Sequence, residues 1–179
     1  MRHGPIPGAH GRVRPLILLG DPVLHQPCRE VSDFGGALAD LVEDLFATMY
    51  AANGVGLAAN QIGEPSRVFV YDCPDDEDVR HVGHVVNPRL VEADGVVVRG
   101  PEGCLSLPGL EAGTERFDHA VVEGCTATGE PVRVHGTGFF ARCLQHECDH
   151  LAGTVYADRV RGLRRRRLMR QVARASWRR

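Results

Sequence analysis

The sequence of 179 residues contains no lysine, no long apolar run and no Cys-x-x-Cys pair. Without a run of about 20 apolar residues the chain is not expected to cross a membrane, and no apolar signal segment opens it. Its six cysteines form no recognisable disulfide framework, and the chain is larger than most disulfide-stapled miniature proteins. These absences favour a single globular domain with reduced, cytosolic thiols.

Because lysine is absent, every basic residue is an arginine, and the arginines are unevenly distributed. Ten of them lie between Arg159 and the last residue, where no acidic residue occurs. Residues 1–158 hold the other eleven arginines and all 23 acids, so a body with a net charge near −12 carries a tail near +10. This separation predicts an anionic partner for the tail, nucleic acid first, with a merely solvated terminal helix as an equal alternative.

A His-Glu-x-x-His motif lies at residues 146–150, in a stretch with helical spacing of its apolar residues. Residues four apart share one face of a helix, so His146 and His150 can both reach one metal ion. Glu147 follows the first histidine, where its carboxylate can take a proton from an attacking water. The motif predicts metal-assisted hydrolysis, and the alternative is a helix surface with two solvated histidines.

A catalytic metal needs a third protein ligand, and the sequence after the motif does not offer one. In one class of metalloproteases this ligand is a histidine six residues past the motif, where this chain has Tyr156. No glutamate follows Glu147, so a downstream glutamate ligand is also excluded. Cys104, in a glycine-containing turn after a predicted strand, is the upstream candidate. A set of one cysteine and two histidines suits Zn²⁺ and also permits Fe²⁺, Co²⁺ or Ni²⁺.

Residues 54–61 form a third segment of interest, rich in glycine and alanine. Its small side chains would let a peptide substrate lie close to the backbone, and the side-chain amide of Gln61 could stabilise an oxyanion. For the glycines and alanines, the alternative is a loop that ends a helix and packs on the core.

The apolar pattern predicts helices on either side of a strand-rich middle. Apolar residues three and four apart over 38–52 predict a helix that ends at Asn53 and Gly54. Short β-rich runs predict strands at 67–71, 83–87 and 95–98, followed by a hairpin over 120–134. A helix carrying the His-Glu-x-x-His motif comes next, and a basic amphipathic helix is predicted after residue 160.

This order of elements predicts an α+β fold, a single domain in which small antiparallel sheets surround the central motif-bearing helix. Residues 1–14 are rich in Gly, Pro and Arg and predict a flexible or strapped-down arm, with an organellar transit peptide as the less favoured alternative. Residues 15–158 are predicted to form the catalytic domain, and residues 159–179 an Arg-rich helix or tail.

Three segments together resemble the signature motifs of the peptide deformylases. They are Gly-x-Gly-Leu-Ala-Ala-x-Gln at 54–61, Glu-Gly-Cys-Leu-Ser at 102–106 and Gln-His-Glu-x-Asp-His at 145–150. All three are intact and in order, and the resemblance runs from Leu16 to Asp158. It implies a metal-dependent hydrolase that removes the formyl group from the N-terminal formyl-methionine of nascent polypeptides and releases formate.

The resemblance also assigns the chemistry to particular residues. The metal ligands would be Cys104, His146 and His150. They would hold one divalent ion, natively Fe²⁺, with Zn²⁺, Ni²⁺ or Co²⁺ as alternatives. Glu147 would act as general base and acid, and Gln61 with the backbone N–H of Leu105 would form the oxyanion hole. Glu102 would contact the metal ligands without binding the metal itself.

Substrate binding is implied at further positions. Gly56 would hydrogen-bond the substrate backbone. The pocket for the methionine side chain would be lined by Val55, Gly100, Phe139 and Cys143. In one departure from the pattern, Glu111 stands where many relatives have an arginine, seven residues past the metal cysteine. Arg116 is the nearest candidate to replace that arginine.

The implied partners are formyl-Met peptides and, through the Arg-rich tail, the ribosome or its RNA. No membrane is implied, and we expect a monomer in the bacterial cytoplasm rather than in an organelle.

Two other hypotheses compete with the deformylase function. One is a metallopeptidase built on the same helix, against which the missing downstream ligand argues. The other is a ribosome- or RNA-binding protein that has lost its activity, which the intact motifs oppose.

Overall fold

The computed structural model describes residues 7–178, and within that range the chain forms four α-helices and one five-stranded sheet. The helices are α1 (Gly36–Ala51), α2 (Gly138–Leu151), α3 (Tyr156–Arg159) and α4 (Gly162–Arg174). The strands are β1 (Gly56–Ala58), β2 (Val68–Pro74), β3 (Arg80–Gly103), β4 (Glu111–Cys125) and β5 (Pro131–Thr137). Short 3₁₀ turns cover Pro22–His25, Ala59–Ile62 and Ser176–Arg178. Among these described helices, none combines the length and apolar character needed to cross a bilayer.

The strands pair antiparallel with their neighbours in sequence, in the order β1-β2-β3-β4-β5. The α+β fold is confirmed, but the small sheets expected from the sequence are parts of one sheet. The runs at 83–87 and 95–98, predicted as separate strands, both belong to β3. This strand continues through three irregularities in its register with β4. A bulge leaves a residue unpaired without ending the strand, so glycine and acidic residues that look like strand ends are accommodated inside it.

Helix α2 carries the His-Glu-x-x-His motif and packs against the sheet. Its apolar side chains, Phe140 and Leu144 among them, share a core cluster with Phe69 of β2 and Val122 of β4. Eleven of its fourteen residues are buried, including the polar residues 145–147. A helix covered in this way holds its side chains in a few fixed rotamers, which favours a preorganised site.

Helix α1 packs on β1 and β2 and completes a second core cluster. Its buried residues are Leu38, Val42, Leu45, Phe46, Thr48 and Met49. The spacing of its apolar members is the one that predicts the helix, so the prediction is confirmed. The helix ends where Asn53 adopts a left-handed backbone conformation (φ 55°), which asparagine tolerates better than most residues.

The described part of the N-terminal arm lies along α1. The backbone N–H groups of Arg12 and Arg14 donate to Asp44 Oδ1 (2.7 Å) and Thr48 Oγ1 (2.9 Å). The backbone of Arg12 and Arg14 is therefore hydrogen-bonded to the helix. Residues 1–6 of the predicted arm lie outside the described residues.

The basic helix expected near the C-terminus is present as α4, but it is not a detached tail. Its residues Leu168 and Val172 are buried in a third core cluster with Leu107. Beyond it, the indole N–H of Trp177 donates to the carbonyl of Pro108 (3.1 Å). The C-terminal segment therefore supports residues 104–110, the segment that begins with the candidate metal ligand.

Candidate metal centre and active site

Three side chains from two parts of the chain meet in a cluster suited to a metal ion. His146 and His150 lie one turn apart on α2, and Cys104 directly follows β3. The distance from His150 Nε2 to Cys104 Sγ is 3.1 Å, and that to His146 Nε2 is also 3.1 Å. Two such ligands of one tetrahedral ion stand roughly 3.3–3.6 Å apart. The cluster can therefore close on one ion with little movement.

The donor set is that of a catalytic metal site rather than a closed structural one. One thiolate and two imidazoles leave a fourth tetrahedral position free for water or substrate. Cys104 and His146 line a cavity of about 910 Å³, whereas His150 is fully buried. A free position on an ion held by these residues would therefore face the cavity. These donors fit Fe²⁺, Zn²⁺, Co²⁺ and Ni²⁺ and do not by themselves select one of them.

Glu102 fixes the orientation of the His146 ring. Its Oε1 lies 2.8 Å from His146 Nδ1, which leaves Nε2 to face the metal position. Arg116 donates two hydrogen bonds to the same carboxylate (2.6 and 3.0 Å), and Arg142 donates a third (2.8 Å). Burial opposes ionisation, but the hydrogen bonds from His146 and Arg116 hold the pKa of Glu102 well below its ordinary value. An anion behind the imidazole makes it a stronger metal ligand.

Arg116 joins two buried carboxylates behind the metal site. Besides Glu102, its guanidinium binds Asp149 of α2, with Nη1 2.6 Å from Oδ2. Arg159 binds the same aspartate from the other side. The suggestion that Arg116 replaces the missing substrate arginine is wrong, because its side chain is only 3% exposed and is occupied by these two carboxylates.

Glu147 lies on the cavity wall beside the metal position. A Cβ atom on Gly56 would stand 2.4 Å from Glu147 Oε1, so the carboxylate packs directly on the backbone of β1, and only glycine fits there. Its other oxygen, Oε2, is buried without a hydrogen-bond partner among the described residues. Burial raises the pKa of Glu147 to about 7. Such a carboxyl group can both accept and return a proton near neutral pH.

Two hydrogen-bond donors lie next to Cys104. Gln61 Oε1 accepts the backbone N–H of Ala58 (2.9 Å), which turns the amide nitrogen toward Cys104 Sγ (3.5 Å) and Ser106 Oγ (3.2 Å). The N–H of Leu105 makes no hydrogen bond to another described residue. Both Gln61 and Leu105 line the cavity.

Three of the four residues expected to hold the methionine side chain line the cavity. They are Val55, Phe139 and Cys143. Gly100 is not among the lining residues, and it lies instead against Arg142, whose Nη2 would be 3.1 Å from a Cβ at that position. Pro101, the next residue of β3, reaches the cavity in its place.

Two residues at the cavity rim were not predicted from the sequence to line the cavity. Gln171 of α4 lines the cavity, and so does Glu111, the first residue of β4. The amphipathic spacing of α4 signals that one face packs on the protein, but not which surface that face covers. Glu111 was noted only as a departure from the family pattern, and its place at the rim follows from the β3–β4 pairing.

A sequence profile described as polypeptide deformylase matches residues 13–166. The chain belongs to the peptide deformylase family. Peptide deformylase 2 of Streptomyces avermitilis is 81% identical over 179 residues, which cover 100% of this chain and 96% of that protein. Peptide deformylase 2 of Streptomyces coelicolor is also 81% identical, with 100% of both chains covered. The crystal structure of peptide deformylase from Thermus thermophilus is 40% identical, with a TM-score of 0.81 over 90% of this chain and 94% of that one.

Membership confirms the family resemblance, the fold and the enzyme class. Peptide deformylases are metal-dependent hydrolases that remove the N-terminal formyl group from nascent peptides. The cluster of Cys104, His146 and His150 is a possible metal site in a chain of such a family.

Proposed function

We propose that this deformylase-family chain removes the formyl group from formyl-Met peptides with one divalent ion, natively Fe²⁺, held by Cys104, His146 and His150. The observation that carries the proposal is the position of this cluster beside Glu147 on the wall of a large cavity. When bound, the ion would supply Lewis acidity to the formyl oxygen and lower the pKa of a water molecule. Fe²⁺ is the ion that the family often uses, and the donor set accepts it.

Glu147 would carry the proton transfers. Its carboxylate would take a proton from the attacking water and later return it to the amine that leaves as formate departs. Its place on the cavity wall and its unpartnered buried oxygen support both steps, and burial raises its pKa to about 7. A group that must change protonation twice in one turnover works best when its pKa lies near the working pH.

Gln61 and Leu105 would stabilise the negative charge that develops on the formyl oxygen. The hydrogen bond from Ala58 holds the Gln61 amide in place before substrate arrives, and the Leu105 N–H is free to donate. Donors fixed in advance need no reorganisation during the reaction. Removal of one such donor typically slows a reaction by about 10²–10³-fold.

The substrate backbone would pair with β1. This strand lies at one edge of the sheet, where an extended peptide can add as a further strand. Gly56 brings that edge close to Glu147 and the metal position. The methionine side chain would then lie against Val55, Phe139 and Cys143, which form the apolar part of the cavity.

Replacing Cys104 by alanine tests the metal site. We expect the Cys104→Ala protein to lose bound metal and to release no detectable formate from formyl-Met-Ala-Ser, because two imidazoles alone hold the ion weakly. Metal content per chain and formate release are measured on the same preparation. Cys125→Ala, at the end of β4, is the matched control and should keep both. A Cys104→Ala protein that retained metal and cleaved peptides would support the metallopeptidase instead.

We also propose that α4 docks the enzyme on the ribosome, as a monomer in the bacterial cytoplasm where nascent chains emerge. Leu168 and Val172 anchor one side of the helix in the core. The solvent-exposed side carries arginines at positions 166, 167, 170 and 174. A rigid basic helix face is suited to the phosphate backbone of RNA.

The arginines of α4 can be tested without deleting the helix, which would also remove buried core residues. Replacing Arg166, Arg167, Arg170 and Arg174 by glutamine should weaken ribosome binding and reduce its salt dependence, by a slope of about 0.7–0.9 for each phosphate that is no longer neutralised. Formate release from free peptides should not change. Arg89→Gln/Arg99→Gln on the sheet is the control. Unchanged affinity of the α4 variant at low salt would exclude this docking role.

A further inference from the structure

The rim of the substrate cavity carries one exposed negative charge, on Glu111. Among the described residues that line the cavity, Glu111 is the only charged one that is exposed. The others, Glu102, Arg142, His146 and Glu147, are buried. A substrate that leaves the cavity along its rim would therefore meet a single accessible charge, and that charge is a carboxylate.

The β3–β4 pairing fixes Glu111 close to the reacting end of the substrate. Glu111 is the register partner of Gly103, the residue that precedes Cys104. Its side chain covers Gly103, since a Cβ there would lie 3.5 Å from Glu111 Cγ and 3.9 Å from Oε1. The carboxylate thus lies beside the segment that holds the metal ligand.

Glu111 forms no salt bridge with any described residue, the arginines of the C-terminal segment included. Arg159 binds Asp149, and Arg165 binds Asp158. The part of α4 that reaches the cavity is the neutral Gln171. The charge of Glu111 therefore remains available to a ligand in the cavity.

An extended peptide would carry its next side chains to this rim. With the formyl group at the metal position and methionine in the apolar part of the cavity, each following residue adds about 3.3 Å of length. The second and third residues therefore lie within reach of a carboxylate that flanks Gly103. A lysine or arginine there could extend to Glu111, whereas an acidic residue would be repelled.

We propose that Glu111 is a specificity residue that favours formyl-Met peptides with lysine or arginine at the second or third position. The proposal rests on the deformylase function above. Because the pair is solvent-exposed, its effect is modest: a basic residue should raise kcat/KM about two- to five-fold over glutamine, and glutamate should lower it by a similar factor. Added salt should shrink both differences.

The test compares formyl-Met peptides that carry Lys, Gln or Glu at the second or third position, at low and high salt. Wild type should prefer Lys over Gln over Glu. Glu111→Gln should remove the ranking, and Glu111→Arg should reverse it. Glu115→Gln, which lies on the same strand but outside the cavity lining, is the matched control and should keep the wild-type ranking.

Two negative results are distinguishable. If the wild type releases formate equally from all charge variants, or if Glu111→Gln keeps the preference, Glu111 does not select substrates and the deformylase function stands. If no peptide releases formate, including formyl-Met-Ala-Ser, the proposed function fails and this inference fails with it.

Discussion

The Glu147→Gln protein is expected to bind one metal ion per chain and to release formate about 10²–10⁴-fold more slowly than the wild type. Glutamine keeps the shape of the side chain against Gly56 but cannot accept a proton from water. Glu147 contributes no atom to the proposed metal cluster, so metal content should not fall. The comparison requires formate release and metal content for both proteins at the same pH.

Glu130→Gln is the matched control for this variant, because Glu130 is an exposed glutamate beside the β4–β5 turn, away from the cavity lining. Its activity should equal that of the wild type. A Glu147→Gln protein with near wild-type activity and full metal content would remove Glu147 from the proton transfers. Loss of metal in this variant would instead indicate that Glu147 takes part in metal binding.

Arg116→Met is expected to lower the free energy of unfolding by about 3–5 kcal/mol, the range seen when one partner of a buried ion pair is removed. Methionine fills much of the same volume but donates no hydrogen bond. The change leaves Glu102 and Asp149 buried with fewer cationic partners, since Arg142 and Arg159 each contact only one of them. Denaturant unfolding of metal-loaded protein measures the difference.

Arg99→Met provides the matched control for Arg116→Met. Arg99 pairs with Glu115 on the same two strands, but both side chains are more than half exposed. Exposed pairs contribute about 0–1 kcal/mol, so this variant should unfold almost like the wild type. If the two variants lost equal stability, the buried network behind His146 would not stabilise the fold.

Features that depend only on the spacing of residues within one helix could be predicted from the sequence. The buried face of α1 follows the three-and-four spacing of its apolar residues, and the i, i+4 relation of His146 and His150 requires only that the motif be helical. The candidate third ligand, Cys104, was reached by excluding downstream candidates and by the family resemblance. Its distance to His150 agrees with a shared ion.

Features that depend on contacts far apart in sequence were missed. The sequence does not reveal that Arg116 is buried, because its partners lie 14 and 33 residues away and an arginine ordinarily remains in solvent. The length of β3 was underestimated, because the sequence at its bulges resembles that of turns between separate strands. Gln171 reaches the cavity only because α4 packs over residues 104–110, which no local pattern indicates.

Formate release from formyl-Met-Ala-Ser tests the central claim most directly. Anaerobically purified protein is loaded in parallel with Fe²⁺, Ni²⁺ or Zn²⁺, and formate is measured against the same protein without metal. We expect release that depends on the metal, is highest with Fe²⁺ under anaerobic conditions and is lost on exposure to air, since Fe²⁺ and its thiolate ligand are both oxidised. No release with any metal, at full metal occupancy, would contradict the account and leave α4 and its arginines as the place to look for function.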